Sequence, residues 1–156
     1  TPLYSSAASD VYKRQALRSS QVLESVDFAS IGTNDLTQYA MAADRLQGEL
    51  AELLTPWQPA VIQLVKATCD GAGERLIGVC GEAAGDPLLA LVLVGVGVRS
   101  LSMAAGKITA VKAALSRHNL EQCRRIADAA LAACSPEEAR TAALKLADPS
   151  VEVLVS

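Results

Sequence analysis

Three short strand-like segments, each followed by residues with helical spacing, constrain the fold of this chain more than any other feature. The segments cover residues 27–32, 76–80 and 98–103. Each is shorter than a typical helix, and the first two are largely apolar, as buried parallel strands are. Because strands that alternate with helices pair in parallel and are covered by those helices, the sequence predicts consecutive βα units in an α/β fold.

Signals that begin helices follow the first two strands. Asp35 with Gln38 three residues later is typical of a capping pair at the start of the first helix. After the second strand comes a loop over residues 81–85, and then Asp86 and Pro87, an N-cap residue and a favoured first helical residue. We therefore expect a helix soon after each of these strands.

Two further helices are expected near the C-terminal end. Asn119 with Gln122, and Ser135 with Glu138, have the spacing of capping boxes. The apolar faces of the predicted helices are marked by Val61, Leu64, Val65 and Cys69; by Ile108, Val111, Ala114 and Leu115; and by Leu120, Cys123, Ala127, Ala130, Leu131 and Cys134.

Composition and charge exclude several classes of protein. Half of the residues are hydrophobic (51%) and 20% are charged, so the chain can bury a core. A net charge of −3 argues against a nucleic-acid surface, and the apolar run 87–98 is too short to span a membrane. No charged and then apolar leader opens the chain, so we expect a cytoplasmic protein. Four cysteines without C-x-x-C spacing and a single histidine predict neither a zinc site nor a disulfide framework.

The first fifteen residues differ from the rest of the chain. They hold two of the three tyrosines and have no clear period, so we interpret residues 1–15 as a tail outside the domain. The domain is then expected to cover residues 16–156. Because the sequence starts at Thr1 without an initiator methionine, we expect a processed piece or a fragment of a longer reading frame.

Polar residues directly after the first strand are the first candidate for a functional site. Asn34 and Asp35 follow Gly32, and an amide beside a carboxylate is suited to binding an oxyanion and a divalent metal together. The alternative is that both residues only cap the helix that follows. On spacing alone we favour the cap, because such caps are common.

A cysteine ends the second strand. Cys80 precedes a glycine-containing loop, which makes it a candidate nucleophile or proton donor. The alternative is a small buried hydrophobic residue, the more common role of a free cysteine. Spacing leaves both possibilities open for Cys80, whereas the other three cysteines fall on apolar helical faces.

Arg45 lies near the end of the helix that follows the first strand. Its guanidinium is suited to binding a carboxylate or a phosphate, but a cation there also interacts favourably with the helix dipole. From the residues alone we favour the dipole. We assign no role to His118.

Three strings, in order, carry a resemblance to a known family. They are SIGTNDLTQY at residues 30–39, ADR at 43–45 and CGEAAGD at 80–86. Together they closely resemble the C-terminal, phosphoenolpyruvate-binding part of phosphoenolpyruvate–protein phosphotransferase, enzyme I of the bacterial sugar phosphotransferase system. The similarity runs from about Ala16 to Ala147. Pyruvate phosphate dikinase and phosphoenolpyruvate synthase share parts of both longer motifs and are the alternative.

The resemblance implies a fold and a set of roles. The fold would be the C-terminal part of a TIM (β/α)8 barrel, with the last three βα units and two terminal helices. Asn34, Asp35 and Arg45 would bind phosphoenolpyruvate, Asp35 would also ligate Mg²⁺, and Cys80 would be the proton donor. For Arg45 this implication replaces the dipole interpretation.

The resemblance also implies an activity and its partners. The parent enzyme transfers a phosphoryl group from phosphoenolpyruvate to one of its own histidines, and from there to the histidine-containing phosphocarrier protein, releasing pyruvate. The parent is expected to be a homodimer that acts in sugar transport.

The chain departs from the family pattern in three places. The Glu-Val-Pro stretch that supplies a second metal-binding glutamate is missing; its place falls near Asp10 and Val11. The arginines of earlier barrel strands and the phosphorylated histidine are also absent, because His118 lies in a different context. We therefore expect this chain alone to be inactive. A rival interpretation is a protein that binds a partner through an exposed barrel edge, without catalysis.

Overall fold

A three-stranded parallel sheet lies at the centre of the part of the chain that the computed structural model describes, residues 13–43 and 48–155. Its strands are β1 (Phe28–Gly32), β2 (Leu76–Cys80) and β3 (Ser100–Ser102), in the order β1-β2-β3. The predicted α/β fold with a parallel sheet is confirmed. The third strand is shorter than the predicted 98–103.

Helices follow and precede the strands. They are α1 (Lys13–Leu17), α2 (Ser19–Leu23), α3 (Thr33–Met41), a 3₁₀ helix (Gly48–Leu54), α4 (Pro59–Ala72), α5 (Glu82–Gly85), α6 (Pro87–Gly95), α7 (Ala105–Ser116), α8 (Leu120–Leu131), α9 (Pro136–Leu146) and α10 (Ser150–Leu154). No helix within the described ranges is long and apolar enough to cross a bilayer. Residues 1–12 of the predicted tail lie outside these ranges, so the domain boundary at residue 16 stays a prediction.

One face of the sheet is covered by helices. Ala29, Ile31, Ile77 and Val79 point to this face and are almost completely buried. Helix α6 lies in the same core, and its residues 87–93 are all buried. A helix that is buried on every side must be apolar all round, and this explains the continuous run PLLALVLVG.

Helices α6 and α8 approach each other closely at a glycine. A Cβ atom on Gly95 would lie 2.1 Å from the carbonyl oxygen of Cys123 and 2.7 Å from the Cβ of Ala127. No side chain fits in that space. Gly95, the last residue of α6, is therefore required for the packing of these two helices.

The opposite face of the sheet is open. Phe28 and Leu76, paired across β1 and β2, are 49% and 54% exposed, and Cys80 on the same face is half-buried. Ser100 and Ser102 of β3 are exposed. Purely parallel sheets are normally covered on both faces. The described residues thus cover only one of the two faces.

Most of the predicted caps are confirmed. Oδ1 of Asp86 accepts hydrogen bonds from the backbone N–H groups of Leu88 (2.9 Å) and Leu89 (3.1 Å). Asn119 and Gln122 form the predicted capping box at α8. At the start of α9 the hydroxyl of Ser135 accepts from the N–H of Glu138, so the Ser135 cap is present. The Glu138 carboxylate accepts from the N–H of Cys134 and not of Ser135, so the reciprocal bond of the predicted capping box is not formed.

One predicted cap is wrong. Helix α3 begins at Thr33 with Gly32 as its N-cap, no side chain caps it, and Asp35 lies inside its first turn. The chain passes from β1 into α3 without a connecting loop, so the helix begins before the predicted cap. The predicted loop 81–85 likewise contains the short helix α5.

Three residues predicted on apolar faces are exposed. Ile108 is in the first turn of α7, Leu120 is the first residue of α8, and Cys134 follows the end of α8. All three lie at or beyond a helix end, where neighbouring helices cover less of the surface. Helix α10 was not predicted.

Candidate functional site

The carboxyl ends of the three strands lie side by side. Gly32 is the register partner of Cys80, and Cys80 is the partner of Ser102. The residues that follow each strand are therefore brought to one edge of the sheet, although they are far apart in the sequence. Ligands of parallel α/β folds bind at this edge.

Hydrogen bonds and close packing join the first two connections at this edge. The hydroxyl of Thr33 donates to the carbonyl of Cys80 (3.1 Å). A Cβ on Gly81 would lie 3.4 Å from Oδ1 of Asn34, so the Asn34 amide lies against the backbone of Gly81. Gly81 has φ of 104°, a conformation that favours glycine. The structure thus brings the predicted residues Asn34 and Cys80 to the same place.

The thiol of Cys80 is half-buried and oriented by the backbone. Its Sγ lies 3.6 Å from the carbonyl oxygen of Ile31, to which it donates a hydrogen bond. A thiol S–H is a weak hydrogen-bond donor. The contact also holds Cys80 beside the neighbouring strand, at the open face of the sheet.

The other cysteines have different surroundings. Burial raises the pKa of Cys69 to about 12, and burial also raises the pKa of Cys123. Cys134 is exposed. Among the four cysteines, Cys80 alone ends a strand at the edge where the polar residues meet.

Asp35 is half-buried in the first turn of α3, at the same edge. A carboxylate is the kind of ligand that Mg²⁺ prefers, and Mg²⁺ is commonly held by one or two carboxylates with waters and substrate oxygens. Within residues 13–43 and 48–155, no three His, Cys, Asp or Glu residues form a group that could hold a metal. Asp35 supplies one carboxylate at this edge. The predicted ligand Arg45 lies outside the described residues.

A cleft of about 880 Å³ opens from this edge towards the C-terminal helices. Asn34, Gly81 and Ser102 line it from the strand ends, and Lys107 of α7 and Arg140 of α9 line it from the helices. These two cations were missed by the sequence analysis. The position of Lys107, soon after the third strand, was a usable signal, but nothing local distinguishes Arg140.

Asp86 also lines this cleft, but its carboxylate is used by the fold. In addition to the two N–H groups that it caps, Asp86 accepts a hydrogen bond from Nε1 of Trp57 (2.9 Å). Three donors satisfy the hydrogen-bonding needs of the carboxylate. Asp86 therefore has a structural role at the start of α6.

His118 is also held by the backbone. Its Nδ1 lies 2.8 Å from the carbonyl oxygen of Ala114, and its Nε2 accepts a hydrogen bond from the N–H of Asp148 (3.0 Å). With Nε2 as an acceptor, Nδ1 is the ring donor to the Ala114 carbonyl. Both nitrogens of the ring are used to join α7 to the connection between α9 and α10.

The site and fold place the chain in a known class. The family model "PEP-utilising enzyme, PEP-binding domain", in which PEP is phosphoenolpyruvate, matches residues 13–120. That range contains all three strands and the residues at their carboxyl ends. The chain belongs to this family of phosphoenolpyruvate-binding domains.

Curated relatives within the family are more specific. A phosphoenolpyruvate-protein phosphotransferase of Streptomyces coelicolor is 55% identical over 130 residues, which cover 82% of this chain and 23% of the relative. The corresponding enzyme of Geobacillus stearothermophilus is 39% identical over 79% of this chain and 22% of its own length. A multiphosphoryl transfer protein of Xanthomonas campestris pv. campestris is 47% identical over 73% of this chain and 14% of its own. The predicted resemblance is confirmed, and the chain spans less than a quarter of each of these relatives.

Proposed function

We propose that this chain is the phosphoenolpyruvate-binding part of a phosphoenolpyruvate–protein phosphotransferase, with the site at the carboxyl ends of β1, β2 and β3. The observation that carries the proposal is the register that brings Cys80 beside Gly32 and, through Gly81, against Asn34. The two longer motifs that resemble enzyme I, at residues 30–39 and 80–86, thus meet at one edge. The parent activity is transfer of a phosphoryl group to an enzyme histidine and then to the phosphocarrier protein.

Binding of the substrate is assigned to Asn34, Asp35 and Arg45. Phosphoenolpyruvate carries a phosphate and a carboxylate, so its site needs hydrogen-bond donors and positive charge. The Asn34 amide and the Arg45 guanidinium are donors of this kind. Asp35 is assigned as one ligand of Mg²⁺, which supplies positive charge to the phosphate oxygens when bound.

Cys80 is assigned as the proton donor. When the phosphorus–oxygen bond of phosphoenolpyruvate breaks and the phosphoryl group passes to a histidine nitrogen, enolpyruvate is left. A proton added to its methylene carbon then gives pyruvate. The Cys80 thiol is suited to this step because it is a hydrogen-bond donor at the open face, 3.6 Å from the Ile31 carbonyl.

The open face of the sheet supports a TIM barrel as the complete fold. The face that carries Phe28, Leu76 and Cys80 would be the inner surface of the barrel, and β1 to β3 would be its last three strands. The remaining strands would cover this face. A homodimer in the cytoplasm, acting in sugar transport, is the assembly proposed for the parent enzyme.

The 156-residue chain is not expected to release pyruvate from phosphoenolpyruvate by itself. Its one histidine, His118, has both ring nitrogens in hydrogen bonds to the backbone, and so it is not a free acceptor of a phosphoryl group. Sustained formation of pyruvate by the purified chain would contradict this part of the proposal.

Alkylation of the cysteines tests the site directly. Cys80 and the exposed Cys134 are labelled with iodoacetamide in the same molecule, with and without phosphoenolpyruvate and Mg²⁺, and their rates are followed by mass spectrometry. We expect the substrate to slow labelling of Cys80 and to leave that of Cys134 unchanged. Equal rates for Cys80 under both conditions, together with no binding in a titration, would overturn the assignment.

A further inference from the structure

The cleft beside the strand edge contains positive charge with no partner in the described structure. Lys107 and Arg140 both line it. Within residues 13–43 and 48–155, neither side chain takes part in an ion pair or a hydrogen bond. Two unpaired cations in one concave surface are unexpected in a chain whose net charge is −3.

The two acidic residues of the cleft form no ion pair with these cations within the described residues. The Asp86 carboxylate is already satisfied by three N–H donors. Glu82 lines the cleft too, but it is exposed and forms no ion pair with either cation. The formal charges of the cleft therefore balance, but within the described residues neither Lys107 nor Arg140 is paired with a carboxylate.

The stem of Lys107, an exposed residue, contacts α5. A Cβ on Gly85 would lie 3.3 Å from Cγ and 3.5 Å from Cβ of Lys107, so the aliphatic part of the lysine lies on the backbone of α5. The ammonium group is left free at the end of this anchored stem. Lys107 also lies in the first turn of α7, a twelve-residue helix whose N-terminus has no side-chain cap. The partial positive charge of that helix end adds to the charge of the lysine.

We propose that Lys107 and Arg140 form a phosphate-binding subsite in this cleft, next to the edge that carries Asn34 and Cys80. Arg140 provides a planar group that binds two phosphate oxygens, and Lys107 provides a compact charge. The ligand class is a small phosphorylated acid. Its identification as phosphoenolpyruvate rests on the proposed function, whereas the subsite itself rests on the cleft and its charges.

Binding of inorganic phosphate and of phosphoenolpyruvate to the whole chain tests the subsite. Both titrations are followed by backbone amide shifts in NMR spectra, in the unaltered chain and in the double variant Lys107→Ala/Arg140→Ala. The control is Lys112→Ala/Arg125→Ala, which removes the same charge from exposed positions outside the cleft. We expect Lys107→Ala/Arg140→Ala to raise the dissociation constants of both ligands by about tenfold or more. The control pair should change neither dissociation constant by more than about twofold.

The outcomes separate the subsite from the proposed function. If phosphoenolpyruvate binds and the two double variants behave alike, the subsite is overturned and the proposed function stands. If phosphate binds through Lys107 and Arg140 but phosphoenolpyruvate binds no more tightly than phosphate, the subsite stands and the substrate assignment fails. If neither ligand binds the unaltered chain, both are overturned.

A charge-preserving variant excludes misfolding as the cause of lost binding. Lys107→Arg/Arg140→Lys keeps both charges, and we expect it to retain most of the phosphate affinity. Thermal unfolding followed by circular dichroism is measured for each variant. A charge-preserving variant that folds normally and loses as much affinity as the alanine variant would contradict the electrostatic role.

Discussion

The two faces of the sheet differ in what their residues do, although the same three strands build both. On the covered face, Ile31 and Val79 are buried under helices. On the open face, Phe28 and Cys80 alternate with them along the same strands and are exposed or half-buried. Successive side chains of a strand point to opposite faces, so neighbouring residues in the sequence can have unrelated roles. Stability is concentrated on one face and the candidate chemistry on the other.

The largest expected effect contrasts these faces directly. Ile31→Ala removes a completely buried side chain from β1, and should reduce the free energy of unfolding by about 2–5 kcal/mol. Phe28→Ala, on the same strand but 49% exposed, should cost only about 1 kcal/mol. Urea unfolding of both variants measures the difference. Equal losses would show that the open face contributes as much to stability as the covered face.

The next effect concerns the helices that cover the sheet. Gly95→Ala places a methyl group 2.1 Å from the Cys123 carbonyl, so α6 and α8 must move apart, at a cost of about 1–3 kcal/mol. Gly106→Ala is the matched control because nothing lies within 4 Å of its added Cβ, and it should stabilise the chain by about 0.5 kcal/mol. The sign of the change in urea unfolding distinguishes the two. Destabilisation by both variants would refute the packing argument.

A smaller effect is expected where the two regions meet, at the start of α6. Asp86→Ala removes the acceptor of two backbone N–H groups and of Trp57, and should cost about 1–2 kcal/mol. Asp86→Asn should cost less, because asparagine is also a good N-cap residue. The fluorescence of Trp57, the one tryptophan in the sequence, should change in the alanine variant. An unchanged spectrum with unchanged stability would contradict this role.

The smallest effect lies outside both faces, in the connection between α9 and α10. Hydrogen bonds from Ser150 hold the pKa of Asp148 below its ordinary value. A lowered folded-state pKa stabilises the protein above the ordinary carboxyl pKa of about 4, and this stabilisation is lost as the pH falls through the folded-state value. Ser150→Ala should raise the pKa of Asp148, and a carboxyl ¹³C titration measures it. No change would show that Ser150 is not the cause.

The order of strands and helices was predictable because its signals are local. The capping box of Asn119 and Gln122 and the Asp86 cap depend on atoms within one helical turn, and both predictions were correct. The Asp35 cap was wrong because the direct passage from β1 to α3 depends on where the strand pairs with β2. The prediction that Ile108 and Leu120 lie on buried apolar faces was wrong, because burial at a helix end depends on the neighbouring helices.

The candidate site was predictable only in part. Asn34, Asp35 and Cys80 were found from their positions after strands and from the family motifs, and the structure brings Asn34 and Cys80 together. Lys107 and Arg140 were not found because they are 33 residues apart and no motif contains them. They share one cleft only after α7, α9 and α10 have packed.

The amino-acid sequence by itself determined the βα order, the starts of α6, α8 and α9, and the family to which the chain belongs. Each of these depends on residue types and on spacings of a few residues, which persist before any tertiary contact forms. The tertiary structure alone decided which face of the sheet is covered, how closely α6 approaches α8 at Gly95, and which cations meet Asn34 in one cleft. These features depend on the register of distant strands and on helix packing, because both bring together residues that have no relation along the chain.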